Sequence, residues 1–171
     1  MVYGGGEANV AASLANFGMD AAYVTRLPDN DIGRSALRSL RAHGVDVSDI
    51  AWGGERLGLY YCEKGASQRP SKVVYDRAGS SIATAKKGDF NWAEIFDGAD
   101  WFHFTGITPA LSPEVAEICL EALTEAKKYE KDIYIAGGSM LYKEAMDLVD
   151  VMYITEIDSD IDGDTKFPEF D

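Results

Sequence analysis

The sequence predicts an α/β protein: a layered, mostly parallel (Rossmann-like) sheet flanked by helices, with an antiparallel β-hairpin inserted into it. Three observations predict it. Segments of helical periodicity alternate with short apolar runs along the chain. The stretches joining successive apolar runs have the length of helical crossovers, which connect parallel strands with right-handed chirality. The alternation breaks once, at about residues 52–80, where two β-rich runs flank a polar turn.

Taken in order, residues 7–17 read as a helix, with Val10, Leu14 and Phe17 at helical spacing and Gly18 as its stop. Ala22-Tyr23-Val24-Thr25 follows as a short buried strand. Asp29, Asn30 or Asp31 can cap the next helix, which carries Ile32, Ala36, Leu37 and Leu40 inward and stops at Gly44. Val45-Asp46-Val47 is short and extended. Leu57-Gly58-Leu59-Tyr60-Tyr61 and Lys72-Val73-Val74-Tyr75-Asp76 form the hairpin around the turn at residues 64–70. Residues 90–96 read as a short helix, and Trp101-Phe102-His103-Phe104-Thr105 as a buried strand by its aromatic density.

Ser112-Pro113-Glu114 opens the clearest helix, with a hydroxyl N-cap, Pro in the first helical position and an acid in the first turn. Its expected buried stripe is Val115, Ile118, Cys119, Ala122, Leu123 and Ala126, with Lys127-Lys128 at its negative end. Ile133-Tyr134-Ile135 then reads as a strand, residues 140–146 as a helix and residues 151–154 as a further strand.

Composition narrows the function classes. An apolar fraction of 46% supports a folded core, and 171 residues suit one domain with at most a small appendage. A net charge of −13, from 29 acids against 16 bases, repels phosphate backbones and anionic lipid, so neither nucleic acid nor membrane is an expected partner. Lys86-Lys87 and Lys127-Lys128 are isolated pairs on solvated faces. Cys62 and Cys119 have neither the spacing nor the histidines of a metal site, and no apolar run reaches the ~20 residues of a bilayer span. The expectation is a soluble, cytoplasmic protein with no bound metal.

Gly4-Gly5-Gly6 precede the first helix. Glycines allow positive φ and close approach to a ligand, and a helix N-terminus offers unpaired N–H groups to oxygen-rich molecules. Asn9 in the first turn adds a donor and an acceptor. No Gly-Lys-Ser/Thr follows, so this is not a P-loop, and the spacing is not that of a dinucleotide fingerprint. On the residues alone, a tight entry turn stands beside the ligand-binding reading.

The run Gly4-Gly5-Gly6-Glu7-Ala8-Asn9-Val10-Ala11 with Leu14-Ala15-Asn16-Phe17-Gly18 resembles the first signature of the ribokinase-like (PfkB) sugar kinases. Leu27-Pro28-Asp29-Asn30-Asp31-Ile32-Gly33, Gly44-Val45-Asp46-Val47 and WFHFTGITPALSP at residues 101–113 continue it in family order. The subfamily it looks most like is 2-keto-3-deoxygluconate kinase, over residues 4–129. The resemblance implies that the loop at Gly4 and Gly5, together with Asn9, meets sugar hydroxyls. It implies that Tyr60 lines the sugar pocket from a lid at residues 52–80, and that Tyr75 and Arg77 hold the keto-acid end. Arg77 suits a carboxylate by its planar fork, and tyrosines offer an apolar face with a hydroxyl; cross-strand packing and a surface ion pair are the alternative roles. ATP and Mg²⁺ are the cofactors the family implies. Its catalytic Asp lies in a Gly-Ala-Gly-Asp motif that the 171 residues lack, and only Met1-Val2-Tyr3 stand where the family has a first strand.

From Asp132 the chain reads Ile133-Tyr134-Ile135-Ala136-Gly137-Gly138-Ser139, then Tyr153-Ile154-Thr155 and Gly163-Asp164-Thr165-Lys166-Phe167-Pro168. This is similar to the C-terminal part of dihydrofolate reductase. The resemblance implies that Gly137, Gly138 and Ser139 meet the pyrophosphate of NADPH, with Tyr142 near the nicotinamide and Thr155 near the pterin. A simple strand-to-helix turn is the alternative for the two glycines. The alternating acids Asp158, Asp160, Asp162 and Asp164 lack an EF-hand frame and read as a solvated loop.

The sequence reading is therefore a chimera. Residues 1–129 form a truncated sugar-kinase-like core, and residues 130–171 a reductase-like β-α-β segment completing the same sheet. The expected function is at most weak binding of a keto-sugar acid through the glycine loop and lid, without catalysis. A residual ATP-dependent sugar kinase and a residual NADPH binder are the alternatives. The exposed edges of the hairpin invite pairing with the lid of a second copy.

Overall fold

The computed structural model describes residues 3–129, 142–143, 146–148, 150–156, 158 and 167–169. The chain divides into two compact units, Met1–Glu130 and Lys131–Asp171.

In the first unit, α1 (Gly6–Asn16) begins directly on the glycine loop, and Gly18 leaves it with φ of 81°. The chain then runs extended beside a second extended stretch, and the two are parallel. Ala22 bridges Asp46, and β1 (Arg26–Leu27) pairs with β2 (Ala51–Trp52). The strand expected at residues 22–25 thus forms its ladder slightly later, because Ala22 meets Asp46 only as an isolated bridge. Helix α2 (Asp31–Ala42) is started by Asn30, whose Oδ1 accepts from the N–H groups of Ile32 at 3.1 Å and Gly33 at 3.0 Å.

Alternate residues of these extended stretches face opposite sides. Leu27, Val45, Val47 and Ile50 pack with Ala8 and Ala11 of α1 and Ala36 and Leu40 of α2, and Tyr23 joins them. Val24 and Ala51 instead meet Phe90, Trp92, Phe96, Ile118 and Ala122, which come from α3 (Trp92–Ile95), α4 (Pro113–Ala126) and the segment before α3. Helices therefore cover both faces of the parallel ladder. Ile32, expected inside, is 51% exposed, because the inward stripe of α2 runs through Gly33, Ala36 and Leu40. At Gly33 a Cβ would stand 2.0 Å from the Pro28 carbonyl oxygen, so only glycine fits there.

Helix α4 starts where its sequence predicts, but its buried stripe is shorter than expected, Leu123 and Ala126 being only half-buried. Ser112 caps it by accepting from the Val115 N–H at 3.2 Å, and Val115, Ile118, Cys119 and Ala122 are buried. Residues 101–105, expected as a buried strand, pair with no strand among the described residues. Trp101 is 72% exposed, while Phe102 packs edge-on against Trp92 and Phe96. Aromatic density marks apolar contact, and a strand also requires a neighbour to supply the ladder.

The hairpin is β3 (Leu59–Glu63) against β4 (Lys72–Asp76), antiparallel, with Tyr60 opposite Tyr75 and Cys62 opposite Val73. Both strands are almost wholly exposed.

In the second unit, a short 3-10 turn spans Met146–Leu148, and Tyr142 packs against Phe167 with ring centroids 5.2 Å apart. Residues 151–156 are exposed and lie outside any described ladder, where a strand was expected at 151–154. The strand expected at residues 133–135 lies outside the described residues, as does most of the helix expected at 140–146. Among the described residues no helix is long and apolar enough to cross a membrane.

Candidate functional site

The hairpin folds back onto the glycine loop. A Cβ on Gly4 would stand 2.8 Å from the Tyr60 hydroxyl oxygen, so the missing side chain is what admits the tyrosine. Gly5, with φ of 154°, is the N-cap of α1, and no side chain caps this helix. The first N–H groups of α1 are thus left to water or a bound oxygen. Asn9 is exposed in the first turn, and its N–H is spent on the Gly5 carbonyl at 2.9 Å, leaving its amide side chain for other partners.

From Tyr60 the site continues along the hairpin. The Tyr60 and Tyr75 rings lie with centroids 6.4 Å apart, and the Arg77 guanidinium sits over the Tyr75 ring at 4.8 Å from its centroid. Gly4, Tyr60, Tyr75 and Arg77 therefore form one continuous run of a backbone approach, two aromatic faces and a cation. Arg77 makes no ion pair among the described residues; its contact with Tyr75 is a cation–π one. It lines a cleft of about 380 Å³ together with Ala78, Gly79, Ala83, Ala110, Leu111 and Ser112.

Two further residues shape the site, and the sequence reading assigned a role to neither. Glu7, in the first turn of α1, accepts three hydrogen bonds on one carboxylate oxygen. The Thr105 N–H donates at 3.2 Å, the Thr105 hydroxyl at 2.7 Å and the Thr108 hydroxyl at 2.7 Å. Burial pushes the Glu7 carboxyl up, but these donors together outweigh it and hold the group below the usual glutamate range. The charge acts on its surroundings: burial first, and then Glu7 among other neighbours, raises the hydroxyls of Tyr3 and Tyr23 and the thiol of Cys119. The second residue is Arg56, which clamps the base of the hairpin. It pairs with the Asp76 carboxylate at 2.8 Å and donates to the carbonyls of Asp76 at 3.0 Å and Ala78 at 3.2 Å. Both glutamate and threonines stand inside the motifs quoted above, yet nothing in their spacing announces a contact across some hundred residues.

Of the reductase-like candidates, Gly137, Gly138 and Ser139 lie outside the described residues. Tyr142 is engaged with Phe167 and Thr155 is exposed, which by themselves form no nicotinamide pocket. Among the described residues no group of three or more His, Cys, Asp or Glu side chains is placed to hold a Mg²⁺ ion.

An α/β domain that folds a hairpin over a glycine-lined helix entrance is the class these features define. A profile described as pfkB family carbohydrate kinase matches residues 1–160. The chain belongs to the pfkB family of carbohydrate kinases. It is 39% identical over 123 residues to the 2-dehydro-3-deoxygalactonokinase of Haloferax volcanii, covering 71% of this chain and 38% of that protein. The crystal structure of 2-dehydro-3-deoxygluconokinase from Thermotoga maritima is similar at 55% identity and a TM-score of 0.74, over 76% of this chain and 40% of that one. A shorter similarity, 41% identity over 49 residues, links 29% of the chain to dihydrofolate reductase type 1 of Escherichia coli, covering 31% of that enzyme. The chain spans about two fifths of the length of the curated kinases it matches. The pfkB match continues past residue 130, where the sequence reading placed a junction.

Proposed function

We propose that residues 3–129 are the sugar-gripping half of a kinase-type site for a 2-keto-3-deoxy sugar acid, and that these 171 residues bind such an acid without phosphorylating it. The observation that carries the reading is the continuous run Gly4–Tyr60–Tyr75–Arg77. Hydroxyls of the ligand meet the loop, Asn9 and Tyr60, and its carboxylate meets the guanidinium of Arg77, which makes no ion pair among the described residues. The choice of acid is supported by the names of the similar kinases from Haloferax volcanii and Thermotoga maritima, which act on 2-dehydro-3-deoxy sugar acids.

Phosphoryl transfer needs a group that orients or deprotonates the sugar hydroxyl. In the described site Glu7 is held anionic by three donors and Asp76 is paired with Arg56, so neither is poised as a base. Family membership favours a second reading, an ATP-dependent sugar kinase. The 49-residue similarity to dihydrofolate reductase favours a recombined origin for the segment from about residue 130. The hairpin, whose face opposite Tyr60 carries Tyr61 and Val74, is the proposed contact with a second copy.

Calorimetric titration with 2-keto-3-deoxygluconate, ATP and NADPH tests these readings. Saturable heat with the sugar acid is expected, weakened roughly tenfold to hundredfold in Arg77→Ala. Absence of that heat overturns the binding reading. Coupled ADP release above background establishes the kinase reading instead, and saturable NADPH binding the reductase-like one.

A further inference from the structure

We propose that Glu7 is a positioning residue for the bound sugar acid, joining the glycine loop to the segment at residues 110–112 that lines the cleft with Arg77. The assignment rests on the binding reading above. Glu7 directly follows Gly5 and Gly6, so it moves with the loop. Its three donors lie 98 and 101 residues away, in the turn at residues 105–108. That turn is closed by the Thr108 N–H donating to the Thr105 carbonyl at 3.1 Å, and the Leu111 N–H in turn donates to the Thr108 carbonyl at 3.1 Å. The chain then passes straight into Ala110, Leu111 and Ser112, which line the same cleft as Arg77, Ala78 and Gly79. One carboxylate oxygen therefore ties the part of the site that meets hydroxyls to the segment that shares the cleft with the cation.

A full negative charge is an unexpected neighbour for a site that receives an anion. It is tolerated because three hydrogen-bond donors stabilise it and all three come from the turn at residues 105–108. Its contribution is geometric: charge-assisted hydrogen bonds are short and directional, so they hold that segment at one distance from Arg77. Glu7 touches no ligand atom in this assignment and takes no part in chemistry.

The test measures 2-keto-3-deoxygluconate affinity by calorimetry at a temperature where every variant is folded by near-ultraviolet circular dichroism. Glu7→Ala should weaken binding about tenfold, and Glu7→Gln, which keeps an acceptor oxygen, should restore it to within about threefold of the unmodified chain. Thr108→Val should weaken binding about threefold, and the Glu7→Ala/Thr108→Val pair should be no weaker than Glu7→Ala alone. In an Arg77→Ala background the effect of Glu7→Ala should shrink, because residues 110–112 then share the cleft with no cation. A merely structural role would lower the melting temperature and leave both the rescue and the coupling to Arg77 absent. If Glu7→Ala does not fold, the Thr108→Val and Glu7→Gln affinities decide the matter. Unmodified chain that binds while Glu7→Ala, or failing that Thr108→Val, keeps the same affinity overturns this assignment alone. Unmodified chain that takes up no sugar acid overturns the binding reading and this assignment with it.

Discussion

At Glu7 burial and hydrogen bonding act in opposite directions, and the hydrogen bonds from Thr105 and Thr108 prevail. Its carboxyl is therefore more acidic folded than unfolded. The stability this contributes is present above the unfolded value of about 4.3 and is lost as pH falls through the lower folded value. The expected outcome is a gap in urea midpoint between the unmodified chain and Glu7→Gln that narrows as pH drops from about 6 to about 3. Asp46, lowered chiefly by the Ser48 backbone N–H, adds to the same acid loss, and Asp49, raised by burial and then by Asp46 and Glu94, opposes it. Both are common to the two chains, so the comparison isolates Glu7. A gap that stays constant would show that the Glu7 charge gives no net stabilisation. Glycine at position 4 is legible in the sequence; that its missing side chain leaves room for the Tyr60 hydroxyl is visible only once the hairpin has folded over it.

The helices were the most legible elements, because their signals are local. Capping residues, turn glycines and a 3.6-residue stripe lie within a dozen positions of one another. For α2 the three candidate caps at residues 29–31 resolve to Asn30, since its Oδ1 alone accepts both first-turn N–H groups. Asn30→Ala is expected to lower stability by about 1 kcal/mol, read as a shifted denaturation midpoint at unchanged slope. No shift would mean that water replaces the cap without loss. Extended segments were less legible. The ladder of residues 22–27 is displaced from its expected place, and residues 101–105 have strand composition but no described ladder. A strand is defined by its neighbour, and the neighbour is distant in sequence.

At the scale of the described residues, the hairpin is exposed along nearly its whole length. Tyr61 and Val74 are 58% and 50% exposed on the face opposite Tyr60, and an isolated two-stranded hairpin is marginal in water. If a second copy covers that face, sedimentation equilibrium should show a dimer that Val74→Lys converts to monomer while sugar-acid binding through Tyr60 and Arg77 persists. A monomer at all concentrations would overturn the pairing.

By itself the sequence determined the family, the helices with their caps, the existence of the hairpin and its register partners' neighbourhood, because each is written in contiguous residues. Only the tertiary structure decided that Tyr60 closes on Gly4, that Arg77 stands over Tyr75 and shares a cleft with residues 110–112, and that Glu7 is tied to the turn at residues 105–108. Apart from the Arg77–Tyr75 pair, these contacts join segments some thirty to one hundred positions apart, and the geometry that brings them together is set by how the helices pack on both faces of the parallel ladder.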